Sequence, residues 1–578
     1  MTTKIIDTGE LLTHNLSKSF YRPFQGIVEG LFGFPELRRK YKYAGGQRMA
    51  AHQLCANALV LLKTSWHVHP SEWNRLESVE GPLVIVANHP FGGVDSLVLI
   101  ELMQRLRPGG WKLLSNHVLQ SVNPLAPHLI AVDALGFNQA GRLINQAAMR
   151  ASLKFLREGQ LLGFFPARRV SHWSKRLNSV IDQPWSQHAL KLAARTGATL
   201  ACLHFPGHNS KAFLRVPLKW PRIRGLMLCR EIVHAPRRDL KISLTDLISP
   251  DQVVRLNKDP RGLSKLRARC FLEAEKRQFL PLQSLSRKTP KAVISAAVPD
   301  RTPQCPDTFR LFSREGFDLL LFTGRDGPEL LEALGRARET TFRQFGQGVG
   351  REVDITPEDP WYLQLVIWDP SRKRIAGAYR IGVVSEIHPE KGPDGFYLGH
   401  AFQIQPEFYH RFKNGLELSR SFVAAEYQRD NRVFPLLWKG LAQVAQQYQA
   451  DTFYGSVTIS NTYNPASRAV IVDFLRSHYS DNANVRSLVR ARNPFVPQSH
   501  YHPLASDAWK GERISALEPL IRDLEDGQKG IPPLIRYYCG IGARFIAYHV
   551  ESDFQDALYC LLQVNIASIP ESYQRRFR

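Results

Sequence analysis

In the stretch VANHPFGGVDS (residues 86–96), five residues separate His89 from Asp95, and two of them are Gly92 and Gly93. A neutral imidazole serves as a base when one ring nitrogen is free and the other is held by an acceptor. A carboxylate in that place also steadies the imidazolium that forms. Glycine permits the tight turn that returns Asp95 toward His89. Such a pair suits general-base activation of a hydroxyl for attack on a thioester, with no covalent enzyme intermediate. The same residues also fit a plainer arrangement, with Asp95 capping the helix that follows and His89 merely polar at a strand end.

A second cluster lies in GLELSRSFVAAEYQRDNRVFPLLWKG (residues 415–440). Here a strand ends in a basic turn, and a helix begins near Asp430 or Asn431. Val433, Leu437, Leu441, Val444 and Tyr448 share one face of that helix, and Pro435 falls in the first turn, where proline is tolerated. A helix N-terminus beside Arg429 and Arg432 makes a seat for a phosphate, with Asn431 as a third member. An ordinary cap with solvated arginines is the alternative.

The elements that position these residues follow from periodicity. Up to about residue 280, strand-like runs (PLVIVAN, WKLLSN, QLLGFFP, ATLACLHFPG) alternate with helical ones (SLVLIELMQRL, NQAAMRASLKFLREG, WSQHALKLAARTG). That order predicts an α/β domain with a mostly parallel sheet over residues 1–284. Residues 285–308 mix proline, basic and small residues without periodicity and read as a linker. Over residues 309–578, adjacent strands (FDLLLF, YLQLVIWD, RIAGAYRIGVV, GLELSRSFV, TFYGSVTIS) accompany long single helices, which predicts an α+β domain with a mixed sheet.

NHPFGGVDS, GFFPARRVSHW (163–173) and HFPGHNS (204–210) resemble, in order, the motifs of the lysophospholipid acyltransferase family. The resemblance covers roughly residues 60–250 and implies that His89 is the base and Asp95 its orienter. Asn88, Phe165, Pro166, Gly207, Asn209 and Ser210 then line the acceptor and acyl groove, with the loop glycines Gly92 and Gly93. In relatives the second of these motifs reads Phe-Pro-Ala-Gly followed by an acidic residue, or Phe-Pro-Glu-Gly, and Arg168 and Arg169 occupy those places here. Two guanidiniums there fit a carboxylate, a phosphate or anionic headgroups, or mark a site that has drifted.

LELSRSFV, LLWKGLAQVAQQY, FYGSVTIS and IPPLIRYYCGIGARF resemble the GNAT-type N-acyltransferases over about residues 310–565. The likeness is to the ornithine N-acyltransferases of bacteria and, more distantly, to autoinducer synthases. It implies that Glu417 takes a proton from, or holds, an α-amine, with Arg420 beside it; a structural Glu417–Arg420 salt bridge is the alternative. Three apart on a regular strand, these two point to opposite faces unless a bulge intervenes. The turn lacks the paired glycines of coenzyme A sites, whereas acyl carrier protein offers one phosphate on its pantetheine arm and is strongly acidic.

Together the halves resemble the bifunctional ornithine lipid synthases. That resemblance implies no bound cofactor: the phosphopantetheine thioester of acyl carrier protein is a substrate. The C-terminal domain would N-acylate ornithine with a 3-hydroxyacyl chain, and the N-terminal domain would esterify the hydroxyl of the resulting lyso-ornithine lipid. The alternatives are the same chemistry on glycine, glutamine or lysine, turnover by the C-terminal half alone, or a basic membrane-binding protein with inactive acyltransferase folds.

Composition agrees in kind. A chain of 578 residues exceeds what one core supports, and its formal charge of +24 favours anionic partners. No nucleic-acid-binding signature is present, so no nucleic acid partner is expected. Neither an apolar run of about 18 residues nor a secretory signal occurs, and a cytoplasmic protein peripheral to the inner leaflet of the inner membrane is expected. The aromatic and basic segment at residues 20–43 reads as an interfacial element or as core. Seven dispersed cysteines read as reduced packing residues, and no metal site is evident.

Overall fold

Leu83–Ala87 (LVIVA) has all five side chains buried. A strand covered on both faces belongs at the centre of a parallel sheet flanked by helices. The computed structural model places it there. It describes residues 25–133, 139–234, 236–286, 306–344 and 347–575. Residues 287–305 of the expected linker, and residues 20–24 of the aromatic segment, lie outside the described residues. The chain divides into two compact units, Met1–Gln278 with His500–Trp509, and Phe279–Ser499 with Lys510–Arg578.

The first unit contains β1 (Thr64–Val68), β2 (Leu83–Ala87), β3 (Trp111–Asn116), β4 (Leu129–Val132), β5 (Leu161–Phe164), β6 (His172–Ser174), β7 (Ser179–Ile181), β8 (Thr199–His204) and β9 (Arg238–Ile248). Its main sheet runs β1-β9-β8-β2-β5-β3-β4. Every pair is parallel but β8–β9, which is antiparallel. Alternate residues of β2 feed opposite cores: Ile85 and Ala87 pack with Leu99, Met103 and Trp111, while Val84 and Val86 pack with Leu162, Leu190 and Leu200. This is the period of two that a strand imposes. β6 and β7 form a separate hairpin.

The second unit contains β10 (Arg310–Arg314), β11 (Phe317–Thr323), β12 (Leu363–Asp369), β13 (Arg374–Val383), β14 (Phe402–Ile404), β15 (Gly415–Val423), β16 (Thr452–Ile459), β17 (Val489–Ala491), β18 (Arg544–Glu551) and β19 (Ala557–Asn565). The main sheet runs β10-β11-β12-β13-β15-β16-β19-β18. Only β15 and β16 pair in parallel within it, and they pair only as far as Leu418 opposite Gly455. Both strands continue, to Val423 and Ile459, so they splay apart beyond that point. The close approach before the splay requires glycine: a Cβ on Gly455 would lie 2.2 Å from the Leu418 carbonyl oxygen. The mostly parallel first sheet and the mixed second sheet are the arrangement expected from the sequence.

Candidate active sites

β8, β2 and β5 are parallel neighbours, so their C-terminal ends bring Phe205, His89 and Phe165 together, where open parallel sheets bind ligands. His89 Nδ1 is 3.0 Å from Asp95 Oδ2, and the imidazole stacks on Phe165 with ring centroids 4.0 Å apart. The Asp95 carboxylate also accepts the amides of Phe91 (2.9 Å), Gly92 (3.1 Å) and Ser96 (2.9 Å). Gly92 has φ +90°, and a Cβ there would meet Leu228 and Val170 at 2.9 Å. That turn is what returns Asp95 to the ring.

Burial alone would lower the basicity of His89, but the carboxylates of Asp95 and Asp182 hold it above the ordinary imidazole range. Burial alone would likewise raise Asp95. The imidazole and the amides of Phe91 and Gly92 keep it below the usual carboxylate range. The His89 side chain is 14% exposed, and among the described residues only Nδ1 of its ring has a hydrogen-bond partner. With Nδ1 held, Nε2 is the nitrogen left to take a proton.

Asn88 ties β2 to the end of β8, donating to Phe205 O (2.9 Å) and accepting its amide (2.7 Å). Asn209 donates to Phe91 O at 3.2 Å, and its Oδ1 is buried without a partner among the described residues. Gly207 lies against the Phe91 ring, Gly93 precedes helix Val94–Leu106, and Pro166 is buried. The Ser210 hydroxyl is taken, donating to Glu231 and capping a short helix through the Phe213 amide, so it is not free for a substrate. Arg168 is exposed and has φ +60°; Arg169 is partly buried.

In the second unit, β13 and β15 slip register between Ala378 and Arg380, which leaves Arg420 and Ser421 in a bulge, with Arg420 at φ +50°. Arg420, in the bulge, reaches Tyr397 directly, and Glu417 is linked to the same residue through Tyr362. Tyr362 donates its hydroxyl to Glu417 (3.0 Å) and accepts the Tyr397 amide (2.9 Å), while Arg420 donates to the Tyr397 hydroxyl (3.0 Å). Arg420 pairs with Asp354 at 2.9 Å, so the Glu417–Arg420 salt bridge weighed as an alternative does not form. The Tyr397 ring lies under two guanidiniums, Arg380 at 4.4 Å and Arg420 at 4.8 Å.

Glu417 is fully buried. Burial pushes its carboxyl up to about 7, although Arg380 and Tyr362 pull the other way. Its Oε2 and that of Glu358, with Nη2 of Arg380, are buried without partners among the described residues. Where β15 and β16 splay, a cavity of about 1180 Å³ opens, lined by Tyr397, Arg420, Phe422, Phe434, Phe453 and Tyr538 among others. Arg432 is engaged within the chain, with a forked pair to Asp430 (2.6 and 2.9 Å) and its guanidinium over Phe317. Of the expected phosphate seat, Arg429 and Asn431 remain exposed.

Residues 60–239 match the family described as Acyltransferase, and residues 337–439 match the Acetyltransferase (GNAT) domain. The chain is 30% identical over 266 residues to a glycine N(alpha)-acyltransferase of Bacteroides thetaiotaomicron, spanning 43% of this chain and 77% of that protein. The chain belongs to this acyltransferase family. A lyso-glycine lipid O-acyltransferase of the same organism is 29% identical over 135 residues, 23% of this chain and 46% of that one, so the match spans under half of that relative. The solved structure of a CoA-dependent acyl-homoserine lactone synthase, BjaI, is 10% identical over 44% of this chain and 85% of its own, with a TM-score of 0.22, too low to carry weight.

In the acyltransferase, the groups that hold these sites in place were less visible than the sites. Asp182 accepts the His89 amide at 3.2 Å, Ser171 Oγ at 2.5 Å and Trp185 Nε1 at 2.9 Å. In the second unit, Arg338 and Arg380 are fully buried and share Asp359, at 2.8 and 3.1 Å. His400 pairs with Glu358 at 2.7 Å; burial opposes it, yet His400 and Thr356 draw that carboxyl down to about 2. One signal was available: a lone arginine, Arg380, within the otherwise apolar strand AGAYRIGVV, where a charge must be paired if it is buried.

Proposed function

We propose that the second unit transfers an acyl chain from acyl carrier protein to the α-amine of an amino acid, and that the first unit O-acylates the hydroxyl of the one-chain product. The observation that carries the proposal is the presence in one chain of two complementary sites. One is a His–Asp dyad at the exit of a parallel strand. The other is a cavity where two strands splay, lined by Tyr397 and Arg420, with the buried Glu417 behind it and linked to Tyr397 through the Tyr362 hydroxyl.

In the first reaction the amine nitrogen attacks the thioester carbon, the C–S bond breaks and the pantetheine sulfur leaves as a thiolate. The amine's proton passes to Glu417 and on to that sulfur. A carboxyl near 7 suits this exchange at neutral pH. A cavity of about 1180 Å³ exceeds the roughly 300–1,000 Å³ typical of small-ligand sites and has room for a chain with its pantetheine arm. In the second reaction His89 Nε2 takes the hydroxyl proton as oxygen attacks a thioester, then returns it to the departing sulfur. Arg168 and Arg169, which follow shortly after the Phe165 that stacks on His89, would grip the acceptor's carboxylate.

Ornithine is the acceptor in our reading, because the fusion of these two domain types resembles ornithine lipid synthases. Glycine is a second reading, favoured by the names of the relatives. Purified protein supplied with 3-hydroxyacyl carrier protein and labelled ornithine or glycine tests both. We expect a two-chain lipid from ornithine; labelling from glycine alone would establish the second reading, and no lipid from either would overturn the proposal. Exposed Ile27, Leu31, Trp173 and Trp220, with basic residues close by in sequence, support association of the first unit with an anionic inner-leaflet surface on the cytoplasmic side.

A further inference from the structure

The first unit is not made only of the first half of the sequence: His500–Trp509 packs within it. The Tyr501 hydroxyl donates to Val180 O (2.9 Å) and accepts from Ser179 Oγ (3.0 Å), and the ring lies 5.0 Å from that of Phe271. Ser179 and Val180 belong to β7, which pairs with β6 over three residues. Arg176, in the turn of that hairpin, donates to Pro503 O and pairs with Asp507. The segment is anchored in turn by the His500 amide on Glu275 (2.7 Å) and by Lys265 over the Trp509 ring.

The stem of the hairpin holds the main chain of His89 from both sides. Asp182, directly after β7, accepts the His89 amide at 3.2 Å, and the Ser171 amide, directly before β6, donates to His89 O at 2.9 Å. Arg224 and Arg267 bind the stem carbonyls of Ser171 (3.0 Å) and Asp182 (2.5 Å). Among the described residues, the hydrogen bonds and ion pairs that reach β7 and the turn from outside the hairpin come from Tyr501 and the segment that holds Arg176. A three-pair hairpin outside the main sheet has little stability of its own.

We propose that His500–Trp509 is a positioning element for His89, acting through the β6–β7 hairpin, so that O-acyl transfer depends on a segment lying among the N-acyltransferase motifs in sequence. The proposal rests on the reading of His89 as the base for that step. Tyr501 is a positioning residue: it does not touch the reacting atoms. Loss of one or two hydrogen bonds translates into a change of roughly threefold to tenfold.

The test uses the full chain carrying Tyr501→Phe, which keeps the ring, and separately Asp507→Asn. Amide hydrogen exchange at residues 171–182 and at His89 should rise about threefold to tenfold, with β3 unchanged. Turnover in O-acylation should fall by a similar factor, with KM for the one-chain lipid and the rate of N-acylation unchanged. Unchanged exchange at His89 and unchanged turnover in both folded variants would overturn the proposal, as would a uniform rise in exchange over the whole first unit. His89→Ala separates the two claims: if O-acylation survives it, the base assignment fails, while the exchange measurement still decides whether the segment positions the loop.

Discussion

Asp95 governs the first site more than its size implies. Its carboxylate is fully buried and accepts the His89 ring and three backbone amides, so a neutral amide in its place loses charge while keeping part of the geometry. Asp95→Asn should lower O-acylation by roughly 10²–10⁴-fold, the span of a general-base contribution, and leave N-acylation unchanged. The base must be neutral to act, and His89 sits above its ordinary value of 6.5. The wild-type rate of O-acylation should therefore rise with pH along a limb centred above 6.5, and in Asp95→Asn that limb should move to lower pH. A pH–rate profile of both proteins checks the sign. His89, Asp95 and the two glycines between them were legible because their spacing is local. Asp182 was not, since it reaches His89 across 93 positions of sequence.

At the scale of the element, β15 sets the second site through its bulge and its splay from β16. Glu417 holds a proton in the folded protein up to about 7, while in the unfolded chain it releases it near 4.5. Between those values the folded state binds more protons, so this group's contribution to stability falls as pH rises. Glu417→Gln removes that slope: the variant should gain in melting temperature relative to wild type at pH 8 compared with pH 5, while N-acylation drops about 10²-fold or more. Calorimetry at the two pH values and a single assay decide it. Strands such as LVIVA and LQLVIWD were legible from their buried runs. β9 was not read as a strand, because its partners lie far off in sequence. The acids in VDITPEDP look like a solvated proline turn, yet Asp354, Glu358 and Asp359 are buried against Arg420, His400, Arg338 and Arg380.

At the scale of the whole molecule, the charge of +24 favours an acidic donor and an anionic surface. If acyl carrier protein is the donor, its KM should rise steeply between about 0.05 and 0.5 M salt, because screening weakens steering between opposite charges. Sedimentation with vesicles should show binding to anionic but not neutral lipid, reduced by Ile27→Ser with Leu31→Ser. Among the described residues no helix is long and apolar enough to cross a membrane, and no group of three or more His, Cys, Asp and Glu side chains is arranged to hold a metal ion. Two reactions in one chain make a sharper demand than either alone. The most direct measurement supplies His89→Ala with labelled amino acid and 3-hydroxyacyl carrier protein and follows the lipids over time. The one-chain amide should accumulate at the wild-type rate with the two-chain lipid absent; formation of the two-chain lipid at an undiminished rate would contradict the assignment of the two sites.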